Sequence, residues 1–260
     1  MQPLTIVRRL SKAVRGLSFQ PPVSHVYNPL EYALDAHRTY LDRYCRSGID
    51  ALLIGMNPGP WGMVQTGVPF GEVELVRDWM GIQTGVEKPK QEHPKRLIEG
   101  FSCQRSEVSG RRLWGWARDR FGSPEAFFDR FFVWNYCPLA FMEESGRNRT
   151  PDKLPPDERN ALYAPCDKAL SRIVANCRPG MILGVGKFAE SRAKDVLGDN
   201  IPIGTVLHPS PASPIANRGW SEQAEKQLAD LGLLDCASAR RTHHSALTLK
   251  NNESNSSFHA

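Results

Sequence analysis

The chain has 260 residues, a length that suits one α/β domain with extended ends. Apolar residues make up 40% and charged residues 23%, which excludes a fully disordered chain and a membrane-embedded one and leaves an ordinary soluble composition. The formal net charge of +5 is compatible with a polyanionic partner without requiring one.

The first 24 residues read as a basic leader: Arg8, Arg9, Lys12 and Arg15 occur there, with no acid before Glu31. Leu4, Val7, Leu10, Val14 and Leu17 recur at near-helical spacing, so a solvated amphipathic helix is expected. A DNA-contacting helix and an organelle address are the other readings of the same residues. The catalytic domain is expected over residues 25–235, followed by a disordered tail over 236–260, where Thr-His-His and Asn-Asn-Glu-Ser-Asn-Ser-Ser lack periodicity. His243 and His244 in that tail read as solvated bystanders rather than metal ligands. No apolar run approaches the ~18–20 residues needed to span a bilayer. Cys45, Cys103, Cys137, Cys166, Cys177 and Cys236 form no C-x-x-C pair. They read as scattered thiols, not as a zinc or iron–sulfur site.

A helix is expected over 29–44, followed by a short apolar strand at Ala51-Leu52-Leu53-Ile54. Helices over 106–121 and 124–128 precede a second strand, Phe131-Phe132-Val133-Trp134. A helix over 157–177 precedes a third, Met181-Ile182-Leu183-Gly184-Val185, and one over 188–197 leads to a fourth, Ile203-Gly204-Thr205-Val206-Leu207. A last helix is expected over 222–231. Short apolar strands bounded by Gly, Pro or Asn are those covered on both faces. Their alternation with helices predicts an α/β fold: a three-layer α/β/α sandwich around a central four-stranded parallel sheet.

Ligands of such sheets bind beyond the carboxyl ends of the strands. The first such end is Gly55-Met56-Asn57-Pro58-Gly59-Pro60-Trp61-Gly62-Met63, a rigid loop in which Asn57 can both donate and accept hydrogen bonds. A plain turn capped by Asn57 would read the same way, and the Lys-Ser/Thr pair of a phosphate-binding loop is missing. Phe70, between Pro69 and Gly71, could grip a flipped-out base with its ring or could simply be a core residue. Asn135 ends the second strand, where its amide could match the N3–H and O4 of a pyrimidine or cap a turn. His208 ends the fourth strand before a Pro-rich turn. Among the seven histidines it is the best catalytic candidate.

With these pieces placed, the sequence resembles the single-strand-selective monofunctional uracil-DNA glycosylases, a branch of the uracil-DNA glycosylase superfamily. The motifs that carry the resemblance are Met56-Asn57-Pro58-Gly59-Pro60, Gln65-Thr66-Gly67-Val68-Pro69-Phe70-Gly71-Glu72, Ser106-Glu107-Val108-Ser109-Gly110, Asn135-Tyr136-Cys137-Pro138-Leu139, Ser145-Gly146-Arg147-Asn148 and His208-Pro209-Ser210-Pro211. The resemblance implies that Asn57 positions the hydrolytic water and that His208 bonds the uracil O2 and stabilises the leaving anion. Phe70 would stack on the base and Asn135 would read its edge. Met56, Gly59 and Met63 would line the pocket, the last two near C5, where 5-hydroxymethyl groups are tolerated. The segment Pro211-Ala212-Ser213-Pro214-Ile215-Ala216-Asn217-Arg218-Gly219 would be the wedge that enters duplex DNA. The pattern departs at one point. Vertebrate relatives carry an Arg directly after the His-Pro-Ser-Pro motif, and this chain has Ala212, which predicts weaker duplex penetration.

The resemblance further implies excision of uracil and related 5-modified uracils from single- and double-stranded DNA, with no cofactor, no metal and no lyase step. A monomer is expected, acting ahead of abasic-site repair enzymes, in the nucleus of a eukaryote or the cytoplasm of a bacterium. A glycosylase for deaminated purines and a non-catalytic nucleic-acid-binding module are the competing readings.

Overall fold

The computed structural model describes residues 1–235. The chain opens with helix α1 (Pro3–Arg15), strand β1 (Val23–Tyr27), helices α2 (Pro29–Tyr32) and α3 (Leu34–Tyr44), and strand β2 (Ala51–Gly55). One turn of helix, α4 (Met63–Thr66), and a long irregular stretch lead to α5 (Val108–Phe121), α6 (Pro124–Phe128) and β3 (Phe131–Asn135). A hairpin of β4 (Ala140–Glu143) and β5 (Asn148–Arg149) precedes the long α7 (Pro156–Cys177). The chain then runs through β6 (Met181–Val185), α8 (Lys187–Leu197), β7 (Ile203–Val206), α9 (Pro214–Asn217) and α10 (Trp220–Asp230).

The four strands expected from the apolar runs form one parallel sheet in the order β3-β2-β6-β7, wrapped by helices. Every residue of β2 and β3 is buried, which is why these segments read as unbroken apolar runs rather than alternating ones. Aromatic rings fill the space beside β3. Tyr40 stacks on Phe132 at 5.1 Å between centroids and Tyr44 on Phe128 at 4.1 Å. Parallel pairing puts all four carboxyl ends on one rim, and the register sets Gly55 directly beside Asn135.

The structure departs from expectation in three places. The helix expected over 29–44 breaks at Ala33, whose backbone (φ −116°, ψ 28°) is not helical. A second sheet, antiparallel and ordered β1-β4-β5, was not anticipated. Its pairing of Val26 with Phe141 joins segments far apart in the chain, which local pattern does not report.

The third departure concerns the basic leader. Helix α1 is part of the folded domain, not a solvated element: Ile6, Val7, Leu10 and Val14 are buried in the main core, and the helix packs on α7. Its amphipathic pattern is that of a helix laid on a globular core. Arg8, Arg9 and Lys12 face solvent, and Arg15 pairs with Glu31 at 2.6 Å. Among the described residues no helix is long and apolar enough to cross a membrane, and Cys45, Cys103, Cys137, Cys166 and Cys177 are free thiols. The predicted tail, with His243 and His244, lies outside the described residues.

Candidate active site

The rim of the parallel sheet opens into a pocket of about 350 Å3. Met56, Asn57, Gly59, Met63, Phe70, Asn135 and His208, seven residues named from the sequence, all line it. Pro58, Pro60, Glu107, Ser109, Asn148, Thr150, Ser210 and Pro211 complete the wall. A larger groove of about 580 Å3 follows β1 and the 87–91 segment, but none of its lining residues ends a strand of the parallel sheet.

Phe70 is held in place by its backbone. Its φ of 53° is left-handed, a conformation that costs a non-glycine residue energy and persists only when the surroundings enforce it. The Trp114 indole N–H donates to Pro69 O at 3.1 Å and the Thr66 hydroxyl to Gly71 O at 3.0 Å, fixing the residues on both sides. Gly110 on α5 closes the brace, since a Cβ there would lie 1.9 Å from the Phe70 carbonyl oxygen. The ring is left partly exposed to the pocket, 6.0 Å from the His208 ring and tilted by 46° to it.

Asn135 is buried at the end of β3. Its amide nitrogen donates to Met63 Sδ at 3.2 Å, while Oδ1 has no partner. Gly55 makes this possible, because a Cβ there would lie 2.3 Å from Asn135 Oδ1 and 2.5 Å from the Phe70 ring. The close approach of three segments thus depends on a missing side chain.

Asn57 is anchored through its donor end. Its Nδ2 donates to Leu139 O at 3.2 Å and more weakly to Pro58 O at 3.4 Å, leaving Oδ1 as an acceptor. His208 follows β7. Burial lowers its pKa from the ordinary histidine value to about 4, so the ring is neutral at physiological pH, and its buried Nδ1 has no partner. Asn148 Oδ1, from β5, is also buried without a partner. Buried polar atoms are normally bonded, so three orphans lining one pocket mark a place built for a polar ligand.

The expected wedge is only partly a surface element. Ser213 caps the single turn of α9, accepting from the Ala216 N–H at 3.3 Å. Ile215 is 54% exposed at its tip, whereas Ala216 is 2% exposed and belongs to the core, which corrects its assignment to the DNA face. Arg112 of α5, which had no predicted role, clamps the segment. It donates to Pro209 O at 3.1 Å, Ser210 O at 3.2 Å and Asn217 Oδ1 at 2.8 Å, and Asn217 in turn donates to Pro211 O at 2.9 Å.

Comparison with known proteins bears on this geometry. The family model of the uracil DNA glycosylase superfamily matches residues 42–231. Single-strand selective monofunctional uracil DNA glycosylase of Bos taurus is 50% identical over 87% of this chain and 84% of its own length. The chain belongs to this branch of the uracil DNA glycosylases. The Rattus norvegicus and Mus musculus proteins of the same name are 49% and 48% identical over 87% and 90% of the chain, covering 82% and 86% of theirs. A crystal structure of Pedobacter heparinus SMUG2 superposes with a TM-score of 0.62 at 16% identity, over 87% of this chain and 97% of that one, and shows the shared fold.

Within this family frame, the residues that sequence reasoning passed over are Glu107, Ser109, Asn148, Thr150, Ser210 and Arg112. Glu107, Ser109 and Asn148 sat inside motifs that carried the resemblance. Their place in the pocket wall depends on how α5 and the β4–β5 hairpin fold against the sheet.

Proposed function

We propose that this chain flips uracil out of DNA and hydrolyses its bond to the sugar, leaving an abasic site. The observation that carries the reading is the set of unpartnered buried atoms, Asn135 Oδ1 and His208 Nδ1, in a pocket that Phe70 also lines. A pyrimidine stacked on Phe70 would give its N3–H to Asn135 Oδ1 and take the Asn135 amide N–H at O4. Cytosine reverses both groups and would leave buried atoms unpaired, which is how a hydrogen-bonding site rejects the wrong ring.

The C1′–N1 bond breaks with its electron pair passing into the uracil ring, and the sugar becomes oxocarbenium-like. His208, neutral at physiological pH, donates a hydrogen bond to O2 as negative charge develops there. One such donor is typically worth ~2.7–4 kcal/mol in the transition state. A water held by Asn57 Oδ1 forms the new C1′–O bond, and its proton balances the uracil anion. An amide is too weak a base to take that proton early, so departure of the base leads and attack of water follows. Among the described residues no lysine lines the pocket, in keeping with simple hydrolysis rather than Schiff-base chemistry.

The substrates read from the pocket are uracil and 5-substituted uracils, in single-stranded DNA and, through the 211–219 wedge, in duplex DNA. A monomer handing its product to abasic-site repair enzymes is the matching context. The test is alkali cleavage of labelled oligonucleotides carrying uracil, 5-hydroxymethyluracil, hypoxanthine or xanthine. Excision of the pyrimidines alone is expected. Excision of the purines instead would replace this reading with a purine-directed one, and binding without any excision would leave a nucleic-acid-binding module.

A further inference from the structure

Trp61 stands in the 55–63 loop directly after Pro60, which lines the pocket, yet Trp61 itself is not part of the pocket wall. Two cations lie over its ring. The guanidinium carbons of Arg96 and Arg105 are 4.9 Å and 4.6 Å from the ring centroid, within cation–π range. Neither arginine pairs with a carboxylate among the described residues, and nearby Glu92 and Glu143 are taken by Lys88 and Arg149. Arg96 donates from Nη1 to Lys95 O at 3.0 Å, and its buried Nε has no partner. Arg105 is exposed and spends none of its N–H donors on a described acceptor. A ring face, rather than an acid, holds both charges, which leaves their positive field uncancelled and the Arg105 donors open.

The pair belongs to a longer cationic band. The turn of the β4–β5 hairpin packs on the 93–95 segment, where a Cβ on Gly146 would lie 3.2 Å from the His93 ring and 3.3 Å from Lys95 Cβ. Lys95 and Arg147 are both exposed beside that contact. Over residues 93–106 and 144–147, Lys95, Arg96, Arg105 and Arg147 stand against Glu99 and Glu144 alone, so the band is net positive. It borders the pocket at two places, because Trp61 follows Pro60 and Arg147 precedes Asn148, and both of these neighbours are lining residues.

We infer that the Trp61–Arg96–Arg105 cluster binds the phosphodiester backbone of the strand that carries the target base, an inference resting on the DNA partner of the function proposed above. A strand whose base enters the pocket must lead its neighbouring phosphates over the rim, and the band borders that rim. The planar fork of a guanidinium matches a pair of phosphate oxygens. Stacking on Trp61 orders both forks before the strand arrives, so less side-chain freedom is lost on binding. Phosphates carry no sequence information. The cluster therefore raises affinity for any single strand and leaves the choice of base to the pocket, whereas the 211–219 segment is expected to act on duplex DNA.

The test measures binding of the full chain to a uracil-free single-stranded oligonucleotide by fluorescence anisotropy, between ~50 and ~200 mM salt. The slope of log affinity against log salt counts the phosphates neutralised, at about 0.7 per contact on a single strand. Arg105→Ala should make the slope shallower by ~0.7, and the double variant with Arg96→Ala by roughly twice that. Arg105→Lys keeps the charge and should keep the slope. Trp61→Leu keeps both charges but frees them, so affinity should fall ~5-fold or more with little change of slope. Arg172→Ala removes one charge from α7, no residue of which lines the pocket, and should leave the slope as in wild type. If the double variant does not fold, the exposed Arg105 decides. An unchanged slope in Arg105→Ala, an equal change in Arg172→Ala, or full affinity in Trp61→Leu would overturn the assignment. Because the oligonucleotide holds no uracil, the outcome is separate from excision. A chain that shows these slopes but removes no uracil keeps this site and loses the function proposed above, and a chain that binds no single strand loses both.

Discussion

The Asn57 amide nitrogen donates to the backbone carbonyl oxygen of Leu139 at 3.2 Å, and this bond decides which end of the amide can meet a water. Replacing Asn57 with Ala removes the remaining acceptor, and single-turnover rates should fall by ~10²-fold or more, as when a reacting group loses its positioning. Asn57→Asp is the sharper variant. One carboxylate oxygen would then face the Leu139 carbonyl in place of a donor, so the variant should be less stable and no faster than wild type. A rate above wild type would show that a general base was all the site lacked.

Four strands and the rim they share were legible because each strand is a short apolar run with its own punctuation. Asn57, Phe70, Asn135 and His208 followed from the rule that ligands meet the carboxyl ends of parallel strands, with the family resemblance supplying their roles. The β1–β4 pairing was not legible, because it joins residues such as Tyr27 and Ala140 whose partnership is written only in the tertiary fold. The break at Ala33 was hidden by helix-compatible residues on both sides. Helix α1 was misjudged because an amphipathic pattern gives the apolar face but not the surface that will cover it. Glu107 stood inside a resemblance motif with no role of its own, and only the folding of the chain sets it against the glycines at 59 and 62 in the pocket wall.

Two histidines whose pKa values burial depresses should make the protein acid-labile. Burial lowers the pKa of both His37 and His208 from 6.5 to about 4. The folded state therefore resists protonation more than the unfolded state does. The stabilisation is complete above pH ~6.5 and is lost as pH falls toward ~4, by up to about 3 kcal/mol per histidine at ~1.4 kcal/mol per pKa unit. Urea midpoints measured across this window should decline on acidification, and the decline should shrink in His37→Gln. NMR titration of His208 should give a midpoint well below 6. A midpoint above ~7.5 would make the imidazole mostly cationic at neutral pH and change how the leaving group is stabilised.

Two glycines should separate pocket from fold. Gly55→Ala aims a methyl group at the ends of the Asn135 and Phe70 side chains, so base binding should be lost while the protein still folds. Gly110→Ala drives a methyl group into the Phe70 carbonyl oxygen, a backbone atom with little freedom to move. Its melting temperature should drop further than that of Gly55→Ala, as expected when added volume strains a packed site by ~1–3 kcal/mol. Thermal melts beside excision assays check the order, and equal losses of stability would contradict it.

The expected wedge segment carries Ala212 where the family resemblance implies an arginine, and Ile215 is its exposed apolar tip. Ala212→Arg should raise excision from a U·G duplex relative to single-stranded uracil. Arg112→Ala should lower the same ratio, because the clamp from Arg112 to Pro209, Ser210 and Asn217 is lost and the segment must be ordered on each encounter. Amide hydrogen exchange over residues 209–219 should quicken in Arg112→Ala. Unchanged exchange and an unchanged duplex-to-single-strand ratio would remove Arg112 from the account.

On the function proposed above, the pocket between Asn57, Phe70, Asn135 and His208 cuts the uracil–deoxyribose bond. Its most direct test is single-turnover excision of uracil from a single-stranded oligonucleotide by the wild-type chain and by His208→Leu, with folding of both checked by circular dichroism. Wild type should leave an alkali-labile abasic site, and the folded variant should lose ~10²–10³-fold in rate. Near-normal excision by His208→Leu, or none by the wild type, would contradict it.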